Sequence, residues 1–200
     1  KDAEINRAGA HELSELSTPV ALTPHETLKL QTSGHVLLDV RSAAEFGSGH
    51  VPGSVNIGLG GQFAIWSGSL IPLHAAIVII ADTKPQVDES VLRLARVGIE
   101  NVKGYLSDGI RSWREAGLPV NAIEQVSVAQ LKEQITNREL QIVDVRRPAE
   151  YSNGHVPRAM NAPLAALDRT IDQLPLSKDK PTAVICAGGY RSSAAASLLQ

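Results

Sequence analysis

Short runs of apolar residues alternate along this chain with stretches of helical periodicity. Continuous Val, Ile and Leu runs predict buried strands at 35–40 and 76–81, and a shorter run predicts a strand near 100–103. Helices are predicted between and after these strands, near 87–97 and 108–116. Continuous apolar strands separated by helices are typical of a parallel sheet that is covered on both faces. The pattern therefore predicts an α/β fold, in which a parallel sheet is flanked by helices.

Capping signals mark two further helix starts. A capping box at 23–26, with proline at the first helical position, predicts a short helix that ends near Gly34. A second capping box at 127–130 precedes an apolar-periodic helix that reaches about Ile135. Each signal stands ahead of an apolar strand, so the two segments begin alike.

The segment after the first capping box recurs without a gap. Leu-Asp-Val-Arg at 38–41 is matched by Val-Asp-Val-Arg at 143–146, which lies 105 positions later. The same offset relates Ala-Glu-Phe at 44–46 to Ala-Glu-Tyr at 149–151, Gly-His-Val-Pro at 49–52 to the same residues at 154–157, and Asn56 to Asn161. A repeat of this length predicts two domains. We place them at 18–121 and 122–200, after a polar linker or tail of a preceding domain at 1–17.

Composition narrows the class of protein. The 200 residues are 43% hydrophobic and 20% charged, which describes a globular chain long enough for two small domains. The net charge is −2 and the basic residues are dispersed, which gives no reason to expect a nucleic acid partner. The longest apolar run, 75–81, is far shorter than the roughly 20 residues that span a bilayer, so no membrane partner is expected.

The cysteine count and the first residues of the chain bear on where the protein is located. One cysteine cannot form an internal disulfide, which favours a reducing, cytoplasmic location. The start at Lys1 has neither an initiator methionine nor the apolar core of a signal peptide. We therefore expect the chain to be part of a longer one.

The single cysteine, Cys186, follows a short apolar strand at 182–185. Gly188 and Gly189 let backbone amides fold inward around the sulfur, and a helix opens at Arg191. The amides, the helix start and the guanidinium all favour an anion, so the thiol pKa should fall below its free value of roughly 8.5. Cys186 is the candidate nucleophile. The alternative is a small buried hydrophobic residue in a core strand, which does not need the glycines or the arginine.

Two Asp-Val-Arg elements place charges at strand ends. Asp39 and Arg41, like Asp144 and Arg146, share one face of their strand because they are two residues apart. A catalytic role is one interpretation of either pair. An ion pair, or hydrogen bonds that fix the next loop, is favoured because only the second copy has a thiol nearby.

His50 and His155 each precede Val-Pro in a turn that leads into a strand. Neither has a second histidine or a carboxylate at the spacing of metal ligands. A structural hydrogen bond is therefore the favoured role, and no metal site is predicted.

The order of these motifs carries a family resemblance. Asp-Val-Arg, Glu-Tyr, Gly-His-Val-Pro, Asn and finally Cys-x-x-x-x-Arg-Ser resemble the rhodanese superfamily of sulfurtransferases in its tandem form, over about 18–200. The resemblance implies that Cys186 takes sulfane sulfur from a small donor, thiosulfate or a low-molecular-weight persulfide, and passes it to a thiol or cyanide. It implies no cofactor beyond the covalent persulfide, and it makes Cys186 and Arg191 the catalytic residues. The substrate-binding residues implied are Ala187, Gly188, Gly189 and Tyr190.

Loop length bears on a related alternative. Phosphatase and arsenate-reductase loops have five residues between cysteine and arginine, whereas this loop has four, 187–190. The smaller ring suits a persulfide sulfur better than a tetrahedral oxyanion, which favours sulfur transfer. Tyr190 either lines the mouth of the pocket or covers the sheet, and the sequence leaves both open.

The first copy departs from the motif at the decisive place. Ala81 stands at the position of Cys186 and Gln86 at that of Arg191. Asp82 would repel anionic donors, and Pro85 removes one backbone amide from the loop. The first domain is therefore predicted to be catalytically silent, with a role in structure, docking or the wall of the active pocket.

The second copy is predicted to be incomplete at its C-terminus. Its last residue, Gln200, matches Ala95, so the family's closing strand and helix have no counterpart. The helix after the loop should be barely formed. Apolar sheet surface and a strand edge should be exposed.

Residues 1–9 resemble the segment that follows the metallo-β-lactamase-fold domain in its fusions with rhodanese domains, a group that includes persulfide dioxygenases. This resemblance implies a fused or associated domain of that fold, whose metal motif is absent from this chain. The competing interpretation of the whole chain is a non-catalytic interaction or regulatory module of such a hydrolase or dioxygenase.

Overall fold

The computed structural model of the protein describes residues 18–136 and 139–200. The segment 1–17, with the linker and the resemblance assigned to it, lies outside the described residues. The chain divides into two compact units, the first ending at Ala122 and the second running from Ile123 to Gln200. Each unit is an α/β fold with a parallel sheet flanked by helices, which confirms the predicted fold class.

The sheet of the first unit has five parallel strands in the order β1-β5-β4-β2-β3. The strands are β1 (Val20–Leu22), β2 (Val36–Asp39), β3 (Val55–Asn56), β4 (Ile77–Ile80) and β5 (Val102–Leu106). The helices are α1 (Pro24–Thr32), α2 (Ala43–Ser48), α3 (Phe63–Leu70), α4 (Lys84–Ala95) and α5 (Gly109–Glu115). Every residue of the central strand β4 is buried, as a strand covered on both faces requires.

The second unit has a three-stranded parallel sheet in the order β7-β6-β8. Its strands are β6 (Gln141–Asp144), β7 (Met160–Asn161) and β8 (Thr182–Ile185). Its helices are α6 (Val128–Gln134), α7 (Pro148–Ser152), α8 (Leu164–Thr170), followed by a 3-10 turn (Ile171–Gln173), and α9 (Tyr190–Leu198). In the register of this sheet Asp144 lies opposite Ile185, as Asp39 lies opposite Ile80 in the first unit. The repeat in sequence is thus a repeat in register.

Both capping boxes form as predicted, at Thr23 with Glu26 and at Ser127 with Gln130. Helix α4 was expected only from 87, but it begins at Lys84. Its start is earlier because the side chain of Gln86 accepts hydrogen bonds from the Asp82 and Thr83 amides ahead of the helix, so that a capping box forms at Thr83.

Helix α9 corrects one expectation. The helix after the cysteine loop was expected to be barely formed, yet it runs for nine residues, Tyr190–Leu198. Its small residues Ala194 and Ala195 are fully buried, and the helix packs on β8 and α8, which stabilises it. The expected strand edge is present: β8 lies at the edge of its sheet and is half-exposed, whereas its counterpart β4 is central and buried.

The Asp-Val-Arg elements are ion pairs. Arg41 Nη2 lies 2.6 Å from Asp39 Oδ2 and also donates to the Gly49 carbonyl at 3.0 Å. Arg146 makes the same 2.6 Å contact with Asp144. Arg146 likewise donates to the Gly154 carbonyl at 2.9 Å, so each pair ties the end of its strand to the turn after the following helix. The predicted ion pair that fixes the next segment is confirmed.

The two histidines have the structural role predicted for them. His50 Nδ1 lies 2.9 Å from the Phe46 carbonyl, and the ring of His50 stacks on that of Phe46. His155 repeats both contacts with Tyr151, at 3.0 Å from its carbonyl. Each histidine therefore closes the turn after α2 or α7.

Candidate active site

Cys186 follows directly on β8 and lies, half-buried, at the carboxyl end of the sheet. This edge is where parallel α/β sheets bind ligands. The next residues, 187–189, are exposed, and α9 begins at Tyr190, one residue earlier than predicted. Gly189 has φ +81°, a backbone conformation that a residue with a side chain rarely adopts. That conformation turns the loop back over the sulfur.

Two backbone amides point at the sulfur. The Gly189 N–H donates to Cys186 Sγ at 3.1 Å, and the Ser192 N–H donates at 3.4 Å. Ser192 is the third residue of α9, and the amides of a helix's first turn have no partner within the helix. The sulfur therefore acts as the acceptor that caps this helix.

The hydroxyl of Ser192 lies 3.4 Å from the same sulfur. It also lies 3.0 Å from the Gly189 carbonyl, to which it donates while the thiol donates to Ser192 Oγ. When Cys186 is ionised, the hydroxyl proton can turn toward the thiolate instead. Ser192 thus supplies a donor that follows the charge on the sulfur.

These donors set the pKa of Cys186. Burial raises it, but the Ser192 hydroxyl and the amides of Gly188, Ser192 and Gly189 lower it by more, so that the net pKa lies below the ordinary value. A thiolate, rather than a thiol, is the nucleophilic form of cysteine. The loop therefore favours the reactive state.

Replacing Ser192 with Ala should raise the pKa of Cys186, because the thiolate loses its hydroxyl donor and keeps only the amides. The pH dependence of Cys186 alkylation by iodoacetamide measures this pKa. Ser197→Ala is the matched control, since that hydroxyl donates to the Ala194 carbonyl further along α9. An unchanged or lowered midpoint in Ser192→Ala would contradict the assignment.

Arg191 is held by a carboxylate that the sequence-based prediction did not include. Its Nη1 and Nη2 each lie 2.8 Å from one oxygen of Glu150, in a two-pronged ion pair. The pair raises the pKa of Arg191, with a smaller contribution from the Cys186 thiolate. Arg191 therefore lies within electrostatic reach of the sulfur while both of its terminal nitrogens bind Glu150.

Glu150 accepts hydrogen bonds from a second arginine as well. Its Oε2 receives Arg147 Nε at 3.0 Å and the Arg147 amide at 3.2 Å. The hydrogen bonds from Arg191 and then those from Arg147 hold the pKa of Glu150 well below its ordinary range. Glu150 is therefore ionised whenever the site works near neutral pH.

A comparison of the two repeats does not single out Glu150, because both copies have a glutamate at this position. Its counterpart Glu45 only closes a capping box with Ser42, at 2.7 Å from that hydroxyl. The first copy has Gln86 where the second has Arg191. The glutamate is present in both copies, but the arginine that it binds is present only beside the cysteine.

The corresponding loop of the first unit is closed by its own side chain. Gln86 Oε1 accepts from the amides of Asp82 and Thr83, both at 3.0 Å. Burial raises the pKa of Asp82, and the nearby Arg41 offsets this only in part. Ala81, at the position of the cysteine, is buried. The amides that would face a ligand in this loop are thus occupied.

Within 18–136 and 139–200, no three His, Cys, Asp or Glu side chains are grouped as metal ligands would be. A helix long and apolar enough to cross a membrane is likewise not found in that part of the chain.

Comparison with known proteins places this site in a family. The family model described as the rhodanese-like domain matches residues 23–116 and again 127–200. The chain is 32% identical over 80 residues to the thiosulfate sulfurtransferase GlpE of Shewanella oneidensis, which covers 40% of this chain and 77% of GlpE. It is 35% identical over 105 residues to the HTH-type transcriptional regulator Rv0324 of Mycobacterium tuberculosis, covering 50% of this chain and 44% of the regulator.

The chain thus spans about half the length of the mycobacterial relative. Among solved structures it is similar to SseA from Escherichia coli, a 3-mercaptopyruvate sulfotransferase, with 20% identity, a TM-score of 0.43, and coverage of 91% of this chain and 93% of SseA. The two matches to the family model together cover most of the chain. The chain therefore belongs to the family of rhodanese-like domains and carries two of them.

Proposed function

We propose that this chain is a sulfurtransferase that carries sulfane sulfur as a persulfide on Cys186. One observation supports this most strongly: the half-buried thiol receives the Gly189 and Ser192 amides on its sulfur. Family membership and relatives named as sulfurtransferases support the same activity. The four-residue loop between Cys186 and Arg191 supports transfer of sulfur over hydrolysis of phosphate.

The proposed reaction has two displacement steps. The Cys186 thiolate attacks the outer sulfur of the donor. The donor's S–S bond breaks, and the electron pair of that bond leaves with the rest of the donor. With thiosulfate, the products are the Cys186 persulfide anion and sulfite. A thiol or cyanide then attacks the outer persulfide sulfur, which leaves as part of the product and returns Cys186 to the thiolate.

The loop's role in these steps is electrostatic. The amides of Gly188, Gly189 and Ser192 stabilise the charge on the thiolate and on the persulfide that replaces it. We propose that Ala187 and Tyr190 line the approach to the sulfur, and that Arg191 stabilises charge through the pair it makes with Glu150. The sulfur itself is the carrier, so the proposed reaction needs no metal or organic cofactor.

The first unit is proposed to be catalytically silent. It contains no cysteine, and Gln86 occupies the amides of its loop. Its proposed contribution is structural or a docking surface.

The resemblance of residues 1–9 supports a fused or associated metallo-β-lactamase-fold domain, to which the persulfide sulfur would be supplied or from which it would be collected. The single cysteine supports a cytoplasmic setting.

Steady-state kinetics test the proposal. With a persulfide or thiosulfate as donor and cyanide as acceptor, thiocyanate should form with the parallel double-reciprocal lines of a ping-pong mechanism. Gln86→Ala serves as a matched control in the silent loop, and we expect it to leave the rate unchanged. Intersecting lines, or no thiocyanate above the uncatalysed rate, would contradict the proposal.

A further inference from the structure

We propose that Glu150 sets the donor specificity of this site: by pairing with Arg191 it disfavours dianionic donors such as thiosulfate and selects alkyl persulfides. The inference rests on the proposed function and names its donor class. It makes Glu150 a positioning residue that acts through Arg191.

The geometry of the Arg191–Glu150 pair supports this role of Glu150. Arg191 directs both terminal nitrogens to Glu150 at 2.8 Å, and the two side chains are only 19% and 25% exposed. A guanidinium in this arrangement presents its fork to the carboxylate. A sulfonate group that sought the same fork would have to displace Glu150, whose charge repels it.

The balance of charge around the loop also disfavours a dianionic donor. Three guanidinium groups and three anionic groups are linked by hydrogen bonds or electrostatic contacts at this loop. They are Arg146, Arg147 and Arg191 on one side, and Asp144, Glu150 and the Cys186 thiolate on the other. The set is neutral once Cys186 is ionised, so an incoming dianion meets no excess of positive charge.

The backbone amides of the loop are suited to a single negative charge. Those of Gly189 and Ser192 donate to the sulfur at 3.1 and 3.4 Å, and together with the Gly188 amide they lower its pKa, so they stabilise one negative charge at one position. Thiosulfate would add two negative charges before any leave. An alkyl persulfide that reacts as R–S–SH brings no charge on its two sulfur atoms.

The chemistry then balances with a single charge throughout. The Cys186 thiolate attacks the outer sulfur of R–S–SH, the S–S bond breaks, and the electron pair leaves as the thiolate R–S⁻. Cys186 now holds S–SH, and one negative charge stands on each side of the step.

Glu150→Gln tests the proposal on the full chain. Glutamine keeps the capping hydrogen bond that glutamate makes at the start of α7, but it removes the charge. We expect kcat/KM for thiosulfate, relative to that for glutathione persulfide, to rise about tenfold, since glutamine no longer holds the Arg191 fork in an ion pair and leaves it free for the sulfonate group. Glu45→Gln is the matched control, because Glu45 has the same capping role in the first unit. An unchanged or lowered ratio in Glu150→Gln, or an equal rise in Glu45→Gln, would overturn the proposal.

A second background tests the route through Arg191. In an Arg191→Gln protein, adding Glu150→Gln should leave the ratio of the two donors unchanged, because the guanidinium that it would release is gone. A rise as large as in the single variant would show that Glu150 does not act through Arg191 and would overturn that part of the proposal.

Two readouts separate this proposal from the proposed function and from misfolding. Protection of Cys186 from iodoacetamide by sulfate measures dianion binding without any sulfur transfer, and it should be stronger in Glu150→Gln than in the unaltered protein. The unaltered protein should itself prefer glutathione persulfide to thiosulfate by at least about tenfold in kcat/KM. If neither donor loads Cys186, the proposed function fails; if both load it and thiosulfate is preferred, only the assignment of Glu150 fails.

Discussion

Replacing Cys186 with Ser should abolish sulfur transfer, lowering kcat/KM by at least about a thousandfold, while the protein keeps its fold. A serine hydroxyl is close to the thiol in shape and can still accept from the Gly189 and Ser192 amides, so the start of α9 stays capped. It cannot carry a sulfane sulfur. Thiocyanate formation measures the loss, and far-ultraviolet circular dichroism with urea denaturation verifies the fold.

The same variant distinguishes a catalytic role of the chain from a non-catalytic one. If both units served only as an interaction or regulatory module, Cys186→Ser would leave the protein's function unchanged. Retained transfer in a folded Cys186→Ser protein would place the chemistry elsewhere and contradict the assignment of Cys186.

Asp39→Ala should destabilise the first unit by about 3 to 5 kcal/mol, because it leaves a buried guanidinium without its partner. Asp39 is fully buried, Arg41 is 3% exposed, and the two are joined by the 2.6 Å pair. Both tryptophans of the chain, Trp66 and Trp113, lie in this unit. Urea unfolding followed by tryptophan fluorescence therefore reports on it directly.

Asp144→Ala provides the matched comparison in the second unit. Asp144 is also fully buried, but its partner Arg146 is 21% exposed and can reach water when the carboxylate is removed. We expect a smaller loss of unfolding free energy there. Circular dichroism measures this loss, because that unit has no tryptophan. A loss at Asp39 no larger than that at Asp144 would contradict the role of burial in this difference.

Much of the fold follows from local sequence signals. The runs that became β2 and β4, and the capping boxes at Thr23 and Ser127, depend on residues a few positions apart. The ion pairs of Asp39 and Asp144 follow from the alternation of side chains along a strand. The placement of Cys186 directly after a strand is local in the same sense.

Most of the features that the sequence did not predict depend on contacts between residues far apart in the chain. Glu150 meets Arg191 across 41 positions of chain, and no spacing rule joins them. The length of α9 depends on burial of Ala194 and Ala195 against β8 and α8, which sequence periodicity alone does not show. The early start of α4 depends on one reaching side chain, Gln86, in a segment that the repeat compared with a substrate loop.

Intact-protein mass spectrometry tests the persulfide on Cys186 most directly. The folded protein is incubated with thiosulfate and, separately, with glutathione persulfide, and each sample is then treated with cyanide. We expect a gain of one sulfur atom that maps to Cys186 and disappears with cyanide, with the larger gain from glutathione persulfide. No gain from either donor, on protein shown by circular dichroism to be folded, would contradict sulfur transfer by this chain.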